Sequence, residues 1–255
     1  MRQPRYALLF LLLLMLQSLP TQALAIINAE DLDLTRDTDG LAGKFDVSAK
    51  GSSGNSDKIS GEASGHIIWK HDRHLDMLVG SFSYGRSRGV RDSNKSFVHI
   101  RHRYAWNNTW GLEGFAQAQQ DEFARLKLRT LIGGGIRWSY RQQDWDWHIG
   151  LGSFYERERL RATATTPISH LWRGNAYLAL RHAFNARIRI QNTLYYQPAW
   201  AHTADYRLLD DAALHVALAE NLDLKLVIEV AQDSRPPAGI SHTDISYKTG
   251  LSFRF

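Results

Sequence analysis

Cations stand at every second position of Arg125, Lys127 and Arg129, and again at Arg137. The even positions downstream carry His148, Glu156 and Glu158. In an extended chain, residues two apart share a face. Taking "RQQD" (141–144) as the turn, positions summing to about 285 oppose each other, which follows from hairpin pairing. Arg129 then faces Glu156, Lys127 faces Glu158, and Arg137 faces His148. Opposite charges directly across a strand pair contribute roughly 0.2–1 kcal/mol each. Such a ladder either fills a narrow interior or forms a charged constriction that selects small solutes.

Other chemistries find less support. A lipase or deacylase built on a barrel needs a histidine beside its serine. The segment "DSNK" (Asp92–Lys95) has no such histidine. A peptidase needs paired carboxylates with a histidine. Asp211 and His215 share one face, four apart, and read as an ordinary polar pair. His71 and His74 flank a tight turn but lack a third metal ligand. Gly133-Gly134-Gly135 lies inside a strand with no helix after it, so it is no phosphate loop. It lets the strand bend or lets bulky side chains pass. Neither a cofactor nor a bound metal is implied.

The elements that position these residues are strands. From Leu41 onward the pattern has period two almost everywhere. Trp145, Trp147, Ile149 and Leu151 alternate with Asp146, His148, Gly150 and Gly152. Leu222, Leu224, Leu226 and Ile228 alternate with Asp223, Lys225, Val227 and Glu229. Twelve strands are expected, near 44–51, 58–70, 76–86, 95–106, 110–119, 124–140, 145–158, 170–183, 186–197, 205–219, 222–233 and 242–255. Most reach the ~9–11 residues of a tilted membrane strand, whereas sandwich strands are nearer ~5–6. Short connections alternate with long ones, as in bacterial outer-membrane barrels. Trp69, Trp106, Trp110, Trp138 and Trp145, with Tyr140, Phe184 and Phe255, fall beside the short turns or the C-terminus and form an aromatic girdle. Two strands fit poorly. Residues 75–85 ("LDMLVGSFSYG") mix apolar and small side chains on both faces, and His102 sits on the apolar face of its strand.

The 255-residue chain has no cysteine, 31 Lys+Arg and 26 Asp+Glu. Residues 1–25 read as a cleavable export signal: Arg2 and Arg5, an apolar run, then Ala23 and Ala25 in A-x-A spacing. Removing the signal leaves 29 − 26 = +3, too weak an excess for a nucleic-acid partner. Residues 26–40 are an acidic periplasmic lead-in, and 41–255 are the barrel.

Two stretches carry a family resemblance. "KFDVSAKGSSGNSDKISGEASGHIIW" resembles the opening hairpin of the domain of unknown function 481 family. "GFAQAQQDEFARLKLRTLIGGGIRWSY" resembles its most specific segment. That family includes YdiY-type salt-induced outer-membrane proteins, so the resemblance implies an outer-membrane barrel and no established activity.

The expected fold is an all-β, transmembrane, antiparallel up-and-down barrel of about twelve strands, monomeric in the outer-membrane bilayer and not an enzyme. Its function is structural or a narrow selective passage. The alternatives are a barrel enzyme acting on lipid or peptide and a soluble periplasmic β-protein that binds a ligand. The ending "TGLSFRF" places Thr249, Gly250, Phe253 and Phe255 in the pattern that resembles the signal read by the barrel-assembly machinery, after transit with periplasmic chaperones. Deleting Phe255 is therefore expected to lower the assembled fraction, read as loss of the heat-modifiable band on gels. Normal assembly of the deletion would count against the signal.

Overall fold

The computed structural model describes residues 39–54, 57–161, 168–219 and 222–253. The export signal, most of the lead-in and Phe255 lie outside the described residues, as does the side chain of Phe253. Twelve strands follow in order: β1 Gly40–Ser52, β2 Lys58–His71, β3 His74–Ser87, β4 Val90–Ala105, β5 Trp110–Asp121, β6 Leu126–Gln142, β7 Trp145–Leu160, β8 Ile168–Ala183, β9 Ile188–Pro198, β10 Tyr206–Ala219, β11 Leu222–Asp233 and β12 Thr243–Phe253. Each pairs antiparallel with the next, from β1–β2 through β11–β12, and a β1–β12 pairing is not among those of the described residues. The sheet curls strongly. Arg207 of β10 reaches Glu156 and Glu158 of β7. At the rim, Arg125 donates to the Ala238 carbonyl oxygen at 2.6 Å, 113 residues away. Lys95 of β4 lies within electrostatic range of Asp244 and Lys248 of β12.

The polarity of the two faces is the reverse of a soluble sheet. Ile132 is 64% exposed on the outer face, while Arg173 is 2% exposed on the inner face. Outward residues include Leu78, Phe82, Ile100, Leu112, Ile136, Ile149 and Leu151. Inward residues include Arg101, Arg103, Gln117, Arg129, Arg137, Glu156 and Arg207. An apolar outer face around a polar, filled interior defines an up-and-down barrel of the membrane-spanning kind.

The two awkward strands are settled by position. In β3, Leu75, Met77 and Val79 point inward against Ile68, and Leu78 and Phe82 point out. His102 is on the outer face, but only three residues from the end of β4, at the level of the tryptophans. There its Nδ1 lies 2.7 Å from Asp76 Oδ1, and its Nε2 lies 3.4 Å from His74 Nδ1. Neighbouring polar groups therefore replace the water that a lone histidine would lose.

The aromatic girdle is double rather than single. Trp69, Trp106, Trp110, Trp138 and Trp145 sit at the short-turn end, with Trp110 directly across from Trp138. Tyr155, Trp172 and Trp200 form a second belt at the long-loop end; the Trp200 indole donates to Ser153 Oγ at 3.0 Å. Ten residues of β8 separate Trp172 from His182, which stacks on Trp145 at 3.8 Å. At the rise and tilt of a membrane strand, ten residues span about 25 Å of height, the thickness of an apolar band.

The central glycines let side chains pack inward at full size. A Cβ on Gly150 would lie 1.9 Å from the ring of Tyr177, and one on Gly133 would lie 2.4 Å from Phe154 Cβ. Gly150→Ala is expected to destabilise the barrel by about 1–3 kcal/mol through overpacking. The cost should shrink in a Tyr177→Leu background, measured as a double-mutant cycle of urea unfolding in detergent. Equal cost in both backgrounds would reject the contact.

The charged lumen as candidate functional site

Three layers of polar side chains stack inside the barrel. The outer layer centres on Glu156 of β7, which is 1% exposed. Its carboxylate meets Arg207, the Nε of Arg173 at 3.3 Å and the Nε of Arg129 at 3.8 Å. Arg129 also donates from Nε to Glu158 at 2.7 Å, and Arg207 from Nη2 to Glu158 at 3.0 Å. Arg207 continues to Asp233 at 3.1 Å, and Arg173 to Asp205 at 2.9 Å. Three guanidinium groups thus face four carboxylates. The strands that supply the arginines, β6, β8 and β10, are alternate ones, so the network crosses the lumen rather than running along one strand pair.

The middle layer is neutral or singly charged. His99 Nδ1 lies 3.1 Å from Gln117 Oε1, Gln117 donates to Gln119 at 2.7 Å, and Arg101 donates from Nε to His99 Nε2 at 3.3 Å. Phe115 and Phe154 meet edge to face beside them. In the layer nearest the short turns, Glu113 accepts from Arg103 at 2.6 Å and from the Tyr177 hydroxyl at 2.8 Å. Arg137 donates to Tyr177 Oη at 2.9 Å and lies 3.6 Å from Glu113. Multiple charge-assisted bonds of this kind are what a desolvated ion pair needs to stay charged.

The expected ladder is corrected in register. The β6–β7 pairs sum to 287, not 285: Arg129 opposes Glu158, Leu131 opposes Glu156, Arg137 opposes Gly150, and Ser139 opposes His148. The turn is Gln143-Asp144 alone, with Gln143 at φ 46°, and this tight turn moves every pair by two. Arg137 and His148 are joined instead through Ser139 Oγ, at 3.3 and 3.0 Å. Arg125 and Lys127 are not in the ladder. Arg125 is an exposed turn residue with φ 55°. A bulge between Leu126 and Leu128 turns Lys127 outward and Leu126 inward, where Leu126 is 2% exposed.

Sequence reasoning missed Arg173, Arg207, Glu113, Arg103 and Tyr177. Their inward parity was readable, since Arg173 shares its face with Tyr177 and Ala179, and Arg207 with Leu209 and Asp211. Their partners were not, because they lie across the lumen. Asp211 and His215 face Glu229 and Lys225 across the strand pair. His71 and His74 stack at 5.2 Å on the outer face. No group of three or more His, Cys, Asp or Glu among the described residues is arranged to hold a metal ion.

At the rim, Glu122 follows β5 and accepts from Asn94 and Arg91, each at 2.7 Å. These bonds hold its carboxyl below the ordinary range. The tie is therefore complete at neutral pH and is released as pH falls through that lowered value.

The fold and the lumen together define an antiparallel membrane-spanning β-barrel with an ion-paired interior. The sequence profile described as "Protein of unknown function, DUF481" matches residues 45–255, so the chain belongs to that family. No curated protein matches it. Among solved structures, the chain is similar to the NanC porin, with 10% identity, a TM-score of 0.49, and coverage of 85% of this chain and 100% of that one. The translocator domain of autotransporter NalP from Neisseria meningitidis gives 11% identity, a TM-score of 0.47, and coverage of 88% and 92%. The KdgM porin gives 13% identity, a TM-score of 0.42, and coverage of 85% and 99%.

Glu156→Gln removes the shared counter-charge of three buried arginines. It is expected to cost about 3–5 kcal/mol, the usual penalty for breaking a buried ion pair from one side. Urea unfolding in detergent micelles measures it. A change below about 1 kcal/mol, the scale of an exposed pair, would show that the network is wet.

Proposed function

We propose that the chain is an exported, monomeric outer-membrane barrel whose ion-paired lumen braces the wall and excludes all but small solutes. The observation that carries this reading is the dryness of the outer layer: Arg173 is 2% and Glu156 1% exposed. In a wide, water-filled pore those charges would be solvated. The export signal at 1–25, the ending with Thr249, Gly250, Phe253 and Phe255, and the two aromatic belts all support insertion in the outer membrane, with the short turns at the periplasm. Assembly through the barrel machinery, with periplasmic chaperones in transit, follows from that address. The chain acts as a brace or narrow passage rather than as an enzyme.

A narrow passage is favoured by one feature. Ser60, Ser64, Ser83 and Ser93 share the inward parity of β2–β4, and Ser83 Oγ lies 2.9 Å from Ser93 Oγ. Beside the ion-paired block, these positions carry small side chains, with Glu62 and His66 of the same parity between and beyond them. A solute that slips through there meets hydroxyl groups, Glu62 and Lys95.

Planar-bilayer recording of refolded protein tests the reading. Wild-type protein should give small or no steady conductance across a panel of salts and small solutes. Removing Arg173, Arg207 and Glu156 together by alanine substitution should raise conductance several-fold. Large, steady open-pore currents from wild-type protein would reject the filled lumen.

A further inference from the structure

The segment "YERERL" (155–160) divides its charges by parity. Glu156 and Glu158 point inward into the network, so Arg157 and Arg159 point outward. Directly beside them, the β6 bulge turns Lys127 to the same outer face. Arg157 and Lys127 are exposed, and the Nε of Arg159 is buried with no hydrogen-bond partner. None of these three cations has a hydrogen bond or ion pair among the described residues. Every arginine of the outer lumen layer, by contrast, is paired.

The cluster sits immediately beyond the long-loop aromatic belt. His170 is the cross-strand neighbour of Arg157, and its Nδ1 lies 2.9 Å from the Tyr155 hydroxyl. Tyr155 in turn packs on Trp172, ring centres 5.5 Å apart, and Trp172 is 58% exposed. Adjacent strands are about 4.8 Å apart and alternate residues about 7 Å, so the three positive charges lie within a Debye length of one another. Like charges held this close repel unless an anion stands among them. At the height of the membrane–water boundary, the anions on offer are lipid headgroups.

We propose that Lys127, Arg157 and Arg159 form a docking site for the phosphorylated headgroup of a glycolipid in the outer leaflet, with Trp172 lying against its sugar ring. The inference rests on the outer-membrane reading and its orientation, because only then does the long-loop end meet that leaflet. A phosphate among these side chains accepts charge-assisted bonds from two guanidinium groups and one ammonium. The bulge acquires a purpose: one extra residue puts a third cation on the outer face without disturbing Arg129 on the inner one.

The test uses full-length refolded protein in zwitterionic detergent, with bisphosphorylated lipid A, the same lipid stripped of phosphate, and phosphatidylglycerol as probes. Three proteins are compared: wild type, the K127Q/R157Q/R159Q triple variant, and an R86Q/R235Q control that removes two exposed cations elsewhere. Native mass spectrometry reads the affinity. Lipid A should bind wild type and control alike and the triple variant at least about tenfold more weakly, as loss of three contacts near a charged headgroup requires. Dephosphorylated lipid A should not bind. Unchanged affinity in the triple variant, or equal binding of the dephosphorylated lipid, overturns the site. Equal binding of phosphatidylglycerol overturns the glycolipid as its occupant. Heat-modifiable gel mobility, recorded for all three proteins, separates the two levels. If wild type lacks it, the outer-membrane reading fails and takes the site with it. If wild type shows it and the triple variant still binds, only the site fails.

Discussion

The carboxylate of Glu156 is shared by three guanidinium groups, from β6, β8 and β10. Removing one carboxylate from water costs several kcal/mol, and a single partner seldom repays it. Three partners do, and each needs acceptors of its own. Arg173 finds the Gln197 and Asp205 carbonyl oxygens at 3.4 and 3.2 Å as well as the Asp205 carboxylate. Arg207 finds Glu158 and Asp233. The polar account therefore closes only when alternate strands are brought round to face β7. The curl of the wall is what gives Glu156 its three partners.

The opposite end of the lumen solves the same problem with fewer charges. Glu113 takes its bonds from Arg103 and from the hydroxyl of Tyr177. Tyr177 can reach inward because Gly150 lies beneath its ring. A glycine on one strand and a tyrosine on the next together make a flat place in the wall for an aromatic side chain, at the conformational cost that glycine carries in a strand. Charge density falls from the outer layer to the middle one, where glutamines and stacked rings take over.

The strands were readable in the sequence because a lipid face and a lumen face force strict alternation over ten or more residues. β2, β7, β8 and β11 start or end within two residues of their expected limits. Parity also told which charges point in, for Arg129, Arg137, His148, Glu156 and Glu158. It failed at Arg125 and Lys127, where a turn residue and a bulge break the count. A one-residue insertion leaves no mark on composition, yet it flips every side chain beyond it. The register of β6 on β7 was wrong by two because the length of a tight turn is set by backbone conformation, here a positive φ at Gln143. Contacts across the lumen were out of reach for a further reason. Alternation ranks residues by face, but which residues meet across the lumen depends on curvature and stagger, properties of the whole sheet.

Arg125 joins the end of the first half of the chain to the loop before the last strand, through the carbonyl oxygen of Ala238. Nothing local favours that bond, and the loop-closure entropy of 113 intervening residues opposes it until the wall has curved round. The bond is thus a readout of completion. A chain that stalls with its final strands detached leaves this guanidinium without the Ala238 carbonyl oxygen, and one that finishes ties it there. The tie itself, not burial of the arginine, marks whether the loop before the last strand has reached the mouth, without any inspection of the seam.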